Sequence, residues 1–105
     1  MSLQLEKVEK IDKLIFLEFN AVNILIYCNN KEGIEPIFKE LNELVDKEVQ
    51  FNKILSILDD HAVNKVVLNK RDIEVMKLNA QSSLDFDQLI ADKQKALKYI
   101  FVSAC

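Results

Sequence analysis

Glycine and proline are almost missing from this chain of 105 residues, which has one of each, Gly33 and Pro36. Average usage would place roughly 12 of the two together in such a length. A turn-rich β-sandwich or barrel, which needs these residues at its corners, is therefore not expected, and a Gly-rich phosphate-binding loop is excluded. No cofactor is expected.

Arginine is equally scarce. Arg71 stands alone, and the formal net charge is −3. Nucleic acid selects a concentrated Lys/Arg face and often uses Arg forks on base edges, so it is not an expected partner. Lys65, Lys70, Arg71 and Lys77 form only a loose cluster that reads as a solvated face.

The two cysteines, Cys28 and Cys105, lie far apart and make no CxxC pair, which fits a reduced cytoplasmic protein. Cys28 sits in an apolar row and reads as packed, whereas the role of Cys105 stays open. The N-terminus becomes charged before any apolar run begins, unlike a secretory signal. The longest apolar stretch, Leu14 to Cys28, is interrupted by Glu18, Asn20 and Asn23 and is short for a bilayer. No membrane segment is expected.

What the chain does have is apolar surface. Half its residues are hydrophobic and 30% are charged, the balance of a folded domain rather than of a disordered one. The length suits one domain, residues 1–105.

The apolar spacing predicts helices. In the first element Val8, Ile11, Ile15, Phe19, Val22 and Ile26 recur at steps of three and four, beside a second row of Leu14, Leu17, Ala21, Ile24 and Cys28. The rival reading is a pair of strands, Leu14 to Phe19 and Val22 to Cys28, since Ile, Val and Phe favour strands. Asn20-Ala21 is a poor hairpin turn, which favours the helix. After the polar break Asn29-Asn30-Lys31-Glu32-Gly33, a long second helix is predicted from about Glu35 to Leu58. It carries a seam of Ile34, Ile37, Leu41, Leu44, Phe51, Leu55 and Leu58, with Glu48 occupying one seam position.

The segment from 63 to 78 is ambiguous between a helix and a hairpin around Asn69-Lys70-Arg71-Asp72, with the helix slightly favoured. Segment 14–28 carries the same helix-or-strand ambiguity. A last helix is predicted from Ser82, whose spacing to Asp85 is that of a capping box, along the face Phe86, Leu89, Ile90, Leu97, Ile100 and Phe101. These segments together predict an all-α fold, an antiparallel bundle of about four helices. An α+β arrangement with short strands from the first and third segments is the alternative.

Constellations that would support chemistry are thin. Asp59-Asp60-His61 contains the one histidine, but three consecutive residues cannot converge on one ion, and no second histidine completes a ligand set. Asp85, Asp87 and Asp92, like Glu40, Glu43 and Asp46, lack the order of a calcium loop and read as solvated helix faces. A catalytic cysteine would need His61 as its base. No catalytic residue and no metal site is expected, and the protein is not expected to be an enzyme.

The apolar arcs are long for so small a bundle, and Tyr99, Ile100, Phe101 and Val102 add four consecutive apolar residues near the end. The expected function is therefore protein binding, with a face left over for an apolar helix of a partner or for a homodimer.

The order of elements resembles that of the small bacterial flagellar export chaperones of the FliT kind. The resemblance rests on a long first helix, a polar break, the acidic Leu-rich run Ile37-Phe38-Lys39-Glu40-Leu41-Asn42-Glu43-Leu44-Val45-Asp46-Lys47-Glu48, and shorter helices ending near Lys95-Ala96-Leu97-Lys98-Tyr99. Such proteins hold an aggregation-prone export substrate in the cytoplasm and have a C-terminal helix that can cover the binding surface. The resemblance places the partner-binding residues at Phe38, Leu41, Leu44 and Val45, covered by Ile90, Leu97 and Phe101; the seam of the second helix adds Ile37, and the C-terminal apolar run adds Tyr99.

A second function is an immunity protein or antitoxin. Acidic residues such as Glu40, Glu43, Asp46 and Asp59 would cover a basic enzyme's active site, with electrostatic steering speeding the encounter.

Overall fold

The computed structural model describes residues 2–61, 64–69, 71–72 and 96–103. Its centre is a sheet, not a bundle. Six strands run in the order β4-β1-β2-β3-β6-β5: β1 (Leu3–Ile11), β2 (Leu14–Phe19), β3 (Asn23–Cys28), β4 (Glu48–Val49), β5 (Asn64–Asn69) and β6 (Ala96–Ser103). Two helices, α1 (Lys31–Asn42) and α2 (Phe51–Asp60), lie between β3 and β5 in the chain. The predicted all-α bundle is thus incorrect.

The first element is an antiparallel meander rather than a helix. Its helical spacing was a by-product of apolar density: Ile15, Leu17 and Phe19 enter the main core from one face of β2, while Phe16 is buried on the other. A strand buried on both faces loses the period-two signature, and a continuous apolar run satisfies any period.

The turns form without glycine. Asp12 takes the left-handed backbone at φ 50 in the two-residue turn between the paired Ile11 and Leu14, a role that Asp tolerates better than most residues. At the next turn the Asn23 side-chain oxygen accepts the Phe19 amide at 2.9 Å. That bond replaces a backbone acceptor and makes the Asn20-Ala21 corner workable.

The predicted single helix from Glu35 to Leu58 is two helices separated by a short strand. α1 starts at Lys31, where the Asn30 side chain caps the Glu32 amide at 2.9 Å. It ends at Asn42, and the chain then turns through Asp46, whose φ is 69. The Asp46 amide donates to the Leu5 carbonyl at 2.8 Å, which ties the turn to β1. Glu48, the charge that interrupted the helical seam, belongs to β4, and Val49 beside it is buried.

β6 is the largest correction. It lies between β3, to which it is parallel, and β5, to which it is antiparallel. The run Tyr99 to Val102 therefore faces both ways: Ile100 and Val102 join the main core, while Tyr99 packs with Phe16 and Leu25 on the opposite face, where Phe101 joins them. The third segment contributes β5, which pairs with β6, while residues 73–75, the second arm of the predicted hairpin, lie outside the described residues. Asn69 and Asp72 do not make a hairpin turn. Their reciprocal side-chain bonds to each other's amides, at 2.9 and 3.0 Å, form a capping box that opens a helical turn at Arg71 and Asp72. The predicted Ser82–Asp85 cap and the face Phe86, Leu89 and Ile90 lie outside the described residues.

Both helices cover one face of the sheet. Ile34, Ile37 and Leu41 of α1 and Ile54, Ile57 and Leu58 of α2 close the main core against Leu3, Leu5, Ile15, Leu17, Ile24 and Ile26.

Candidate interaction surface

Among the described residues two kinds of surface stand out once the core is filled, and each follows from local chain behaviour. The first is the outer side of the helical layer. An amphipathic helix that commits its apolar stripe to a sheet turns its charged stripe to water. Between residues 31 and 60 that stripe and its turns hold eight acidic side chains against four lysines.

Three of these carboxylates already have partners in the fold. Glu35 pairs with Lys10, Asp59 with Lys65, and Glu40 with His61 at 2.7 Å. The His61–Glu40 contact joins the C-terminal end of α2 to the third turn of α1. Lys10 also lies 5.8 Å from the Phe38 ring centre, over its face. Glu32, Glu43, Asp46, Glu48 and Asp60 are exposed and have no ion pair among the described residues. Glu43 and Asp46 lie in the turn after α1 and Glu48 opens β4, so the three carboxylates are close along the chain.

The second surface is the edge of the sheet at β5. Val66 and Val67 are 56% and 38% exposed, on opposite faces of the strand. Among the described residues no other strand follows β5 in the sheet order.

No protein-family model, curated protein or solved structure matches this chain. The surface must therefore be read from its own geometry.

The residues predicted to meet a partner are dispersed among several environments. Ile37 and Leu41 have no exposed area and face the sheet. Phe38 and Leu44 are half-buried at the margin of the same core, and Val45 is half-buried in the turn after α1. Tyr99 is buried and Phe101 half-buried on the face away from the helices. Leu97 lies in β6, and Ile90 is outside the described residues. The helical succession that carried the resemblance to export chaperones is replaced by strands at both ends.

Asp59 and His61 diverge toward different neighbours, Lys65 for Asp59 and Glu40 for His61. Among the described residues no group of three or more His, Cys, Asp and Glu side chains is placed to hold a metal ion. Cys28 is fully buried, with its thiol 3.3 Å from the Asn30 carbonyl, and Cys105 lies outside the described residues. Among the described residues no helix is long and apolar enough to cross a membrane.

The β5 edge does not stand out from the sequence, because residues 63–78 read as ambiguous between a helix and a hairpin, with the helix slightly favoured. A signal was available: Val66-Val67-Leu68 bounded by Asn64 and Asn69 is a short β-branched run between turn formers.

Proposed function

We propose that this chain is a non-enzymatic protein-binding domain acting in the cytoplasm, whose acidic helical layer covers a basic site on a partner protein. The observation that carries this reading is the set of exposed carboxylates at Glu43, Asp46 and Glu48, each without an ion-pair partner among the described residues. Like-signed charge held on a folded surface raises the encounter rate with an oppositely charged partner and suppresses encounters with others. An inhibitor of a basic enzyme, such as an immunity protein or antitoxin, uses this chemistry. The alternative of a groove that receives an apolar helix has less support, because Ile37 and Leu41 are already covered by the sheet.

The test is affinity capture from native cells at about 50 mM and about 500 mM salt, where the screening length falls severalfold. Wild-type chain is compared with a variant carrying Glu43→Lys, Asp46→Asn and Glu48→Lys. A basic partner retained at low salt, released at high salt and not retained by the variant is the expected outcome. A partner held equally by both chains, or one indifferent to salt, would remove the acidic-surface reading.

A further inference from the structure

Of the two edges of the sheet, one is guarded, and at the other no strand follows β5 among the described residues. At the β1 edge, β4 covers Leu3 and Gln4, and the chain before β4 takes both the amide and the carbonyl of Leu5. The rest of β1 has a register shift between Leu5 and Lys7 and carries Glu6, Lys7, Glu9 and Lys10. Irregular pairing, charge and a very short end strand are the usual defences against unwanted strand addition. β5 has none of them. It pairs with β6 in unbroken register through all six residues, contains no proline, and has Lys65 as its sole charge. That lysine is engaged with Asp59 of α2 rather than directed outward along the edge.

We propose that β5 is a self-association edge, on which the β5 strand of a second copy adds antiparallel and joins the two sheets into one. This goes beyond the acidic-surface reading and does not depend on it. The symmetry follows from the strand geometry. Antiparallel edge strands of two identical sheets are related by a twofold axis normal to the sheet. That operation keeps like faces together and pairs residues of the same parity. Two registers then bring most of the strand into contact.

Centred on Val66, the pairing sets Lys65 against Val67 and Asn64 against Leu68, polar against apolar on both faces. Centred on Val67, it sets Val67 against its own copy, Lys65 against Asn69, and Val66 against Leu68 of the second copy. No like charges are opposed, and β-branched or apolar residues meet each other, the favourable cross-strand combination. The second register also extends the apolar row of Phe16, Leu25, Tyr99 and Leu68 across the junction. The Asn69–Asp72 capping box marks where the strand ends, since the Asn69 amide already donates to the Asp72 carboxylate. In this dimer both helical layers lie on the same side of the joined sheet.

One six-residue strand pair is a small interface, below about 1,200 Å², in the range of reversible complexes. The experiment is sedimentation equilibrium of the full chain from about 1 μM to about 1 mM, concentrations that bracket micromolar dissociation constants. The expected result is a mass that rises from monomer to dimer across that range. Val67→Lys, which opposes two lysines at the axis, is expected to be monomeric throughout. Val66→Lys, at a more exposed position, is expected to raise the dissociation constant at least tenfold and guards against a folding defect at Val67. Ile11→Lys, exposed on β1, is the control and is expected to dimerise as wild type does. A wild-type chain that stays monomeric at about 1 mM overturns the proposal, and so does a dimer that survives both valine substitutions. The acidic variant Glu43→Lys, Asp46→Asn, Glu48→Lys is expected to retain the dimer, so failure of the hetero-partner reading and failure of this one are told apart.

Discussion

Ile100→Ala tests the placement of the C-terminal strand in the middle of the sheet. Ile100 has no exposed area; it pairs with Ile26 on one side and Val67 on the other and points into the core beneath the helices. Removing its three outer carbons takes away buried contacts and leaves a cavity in a region held by strands on both sides, where collapse is restricted. Such changes cost about 2–5 kcal/mol, and restricted collapse points to the upper half of that range. A domain of this size has roughly 5–15 kcal/mol in total. With a urea dependence of about 1.3 kcal/mol per M, at the low end for small domains, the unfolding midpoint is expected to fall by roughly 3–4 M. Circular dichroism at increasing urea measures it. Val67→Ala, at the neighbouring position on the same face but at the edge and 38% exposed, is the internal comparison and is expected to cost less than about 1 kcal/mol. Equal midpoint shifts for the two variants, or a shift below about 0.5 M for Ile100→Ala, would refute a central position for this strand. The same placement predicts that a chain ending at Lys95 does not fold cooperatively, whereas a covering helix could be removed to leave a folded and more open groove.

Asn23→Ala removes the acceptor of the buried Phe19 amide and is expected to cost about 1–3 kcal/mol by thermal or urea unfolding; a change under about 0.3 kcal/mol would mean the turn does not need it. Asp46→Gly relieves a left-handed backbone at φ 69 and is expected to be neutral to stabilising by up to about 1 kcal/mol, read as a rise in the melting temperature, whereas Asp46→Val should lower it. For His61 and Glu40, whose side chains are 24% and 41% exposed, a double-mutant cycle with His61→Ala and Glu40→Gln is expected to give a coupling below about 1 kcal/mol; a coupling of several kcal/mol would point to a role that an exposed tether does not have.

The legibility of the fold tracked how each segment is buried. α1 was readable because one face is buried and one wet, so Ile34, Ile37 and Leu41 stand out at helical steps among charges. β2, β3 and β6 were not, because both of their faces pack: Phe16, Leu25 and Tyr99 on one side and Ile15, Ile26 and Ile100 on the other erase the alternation that identifies a strand. The scarcity of glycine argued against sheet structure only on the assumption that tight turns require it, and Asp12 and the Asn23 side chain meet that need by other means. The break between α1 and α2 was visible as Glu48 in an apolar seam, and its correct meaning was an interruption of the helix. Of the candidate surface, Glu43 and Asp46 could be chosen from sequence. Glu40 and Asp59 could not be separated from them, because their partners His61 and Lys65 come close only through the fold.

Burial on both faces of the central strands also limits where binding can occur. Ile24 and Ile26 are enclosed on the helical side, and Leu25 and Tyr99 are 5% and 4% exposed on the other, so neither sheet face offers a partner much area around these positions. The remaining surfaces are of opposite character. At the helical layer, binding would depend on exposed carboxylates and weaken as salt shortens the reach of charge. At the β5 edge, it would depend on backbone hydrogen bonds and valine contacts, which salt leaves nearly intact. If both proposed surfaces bind, the chain would hold a copy of itself while exchanging a charged partner. The two associations should therefore separate along a salt titration, the hetero-complex dissociating first and the dimer persisting.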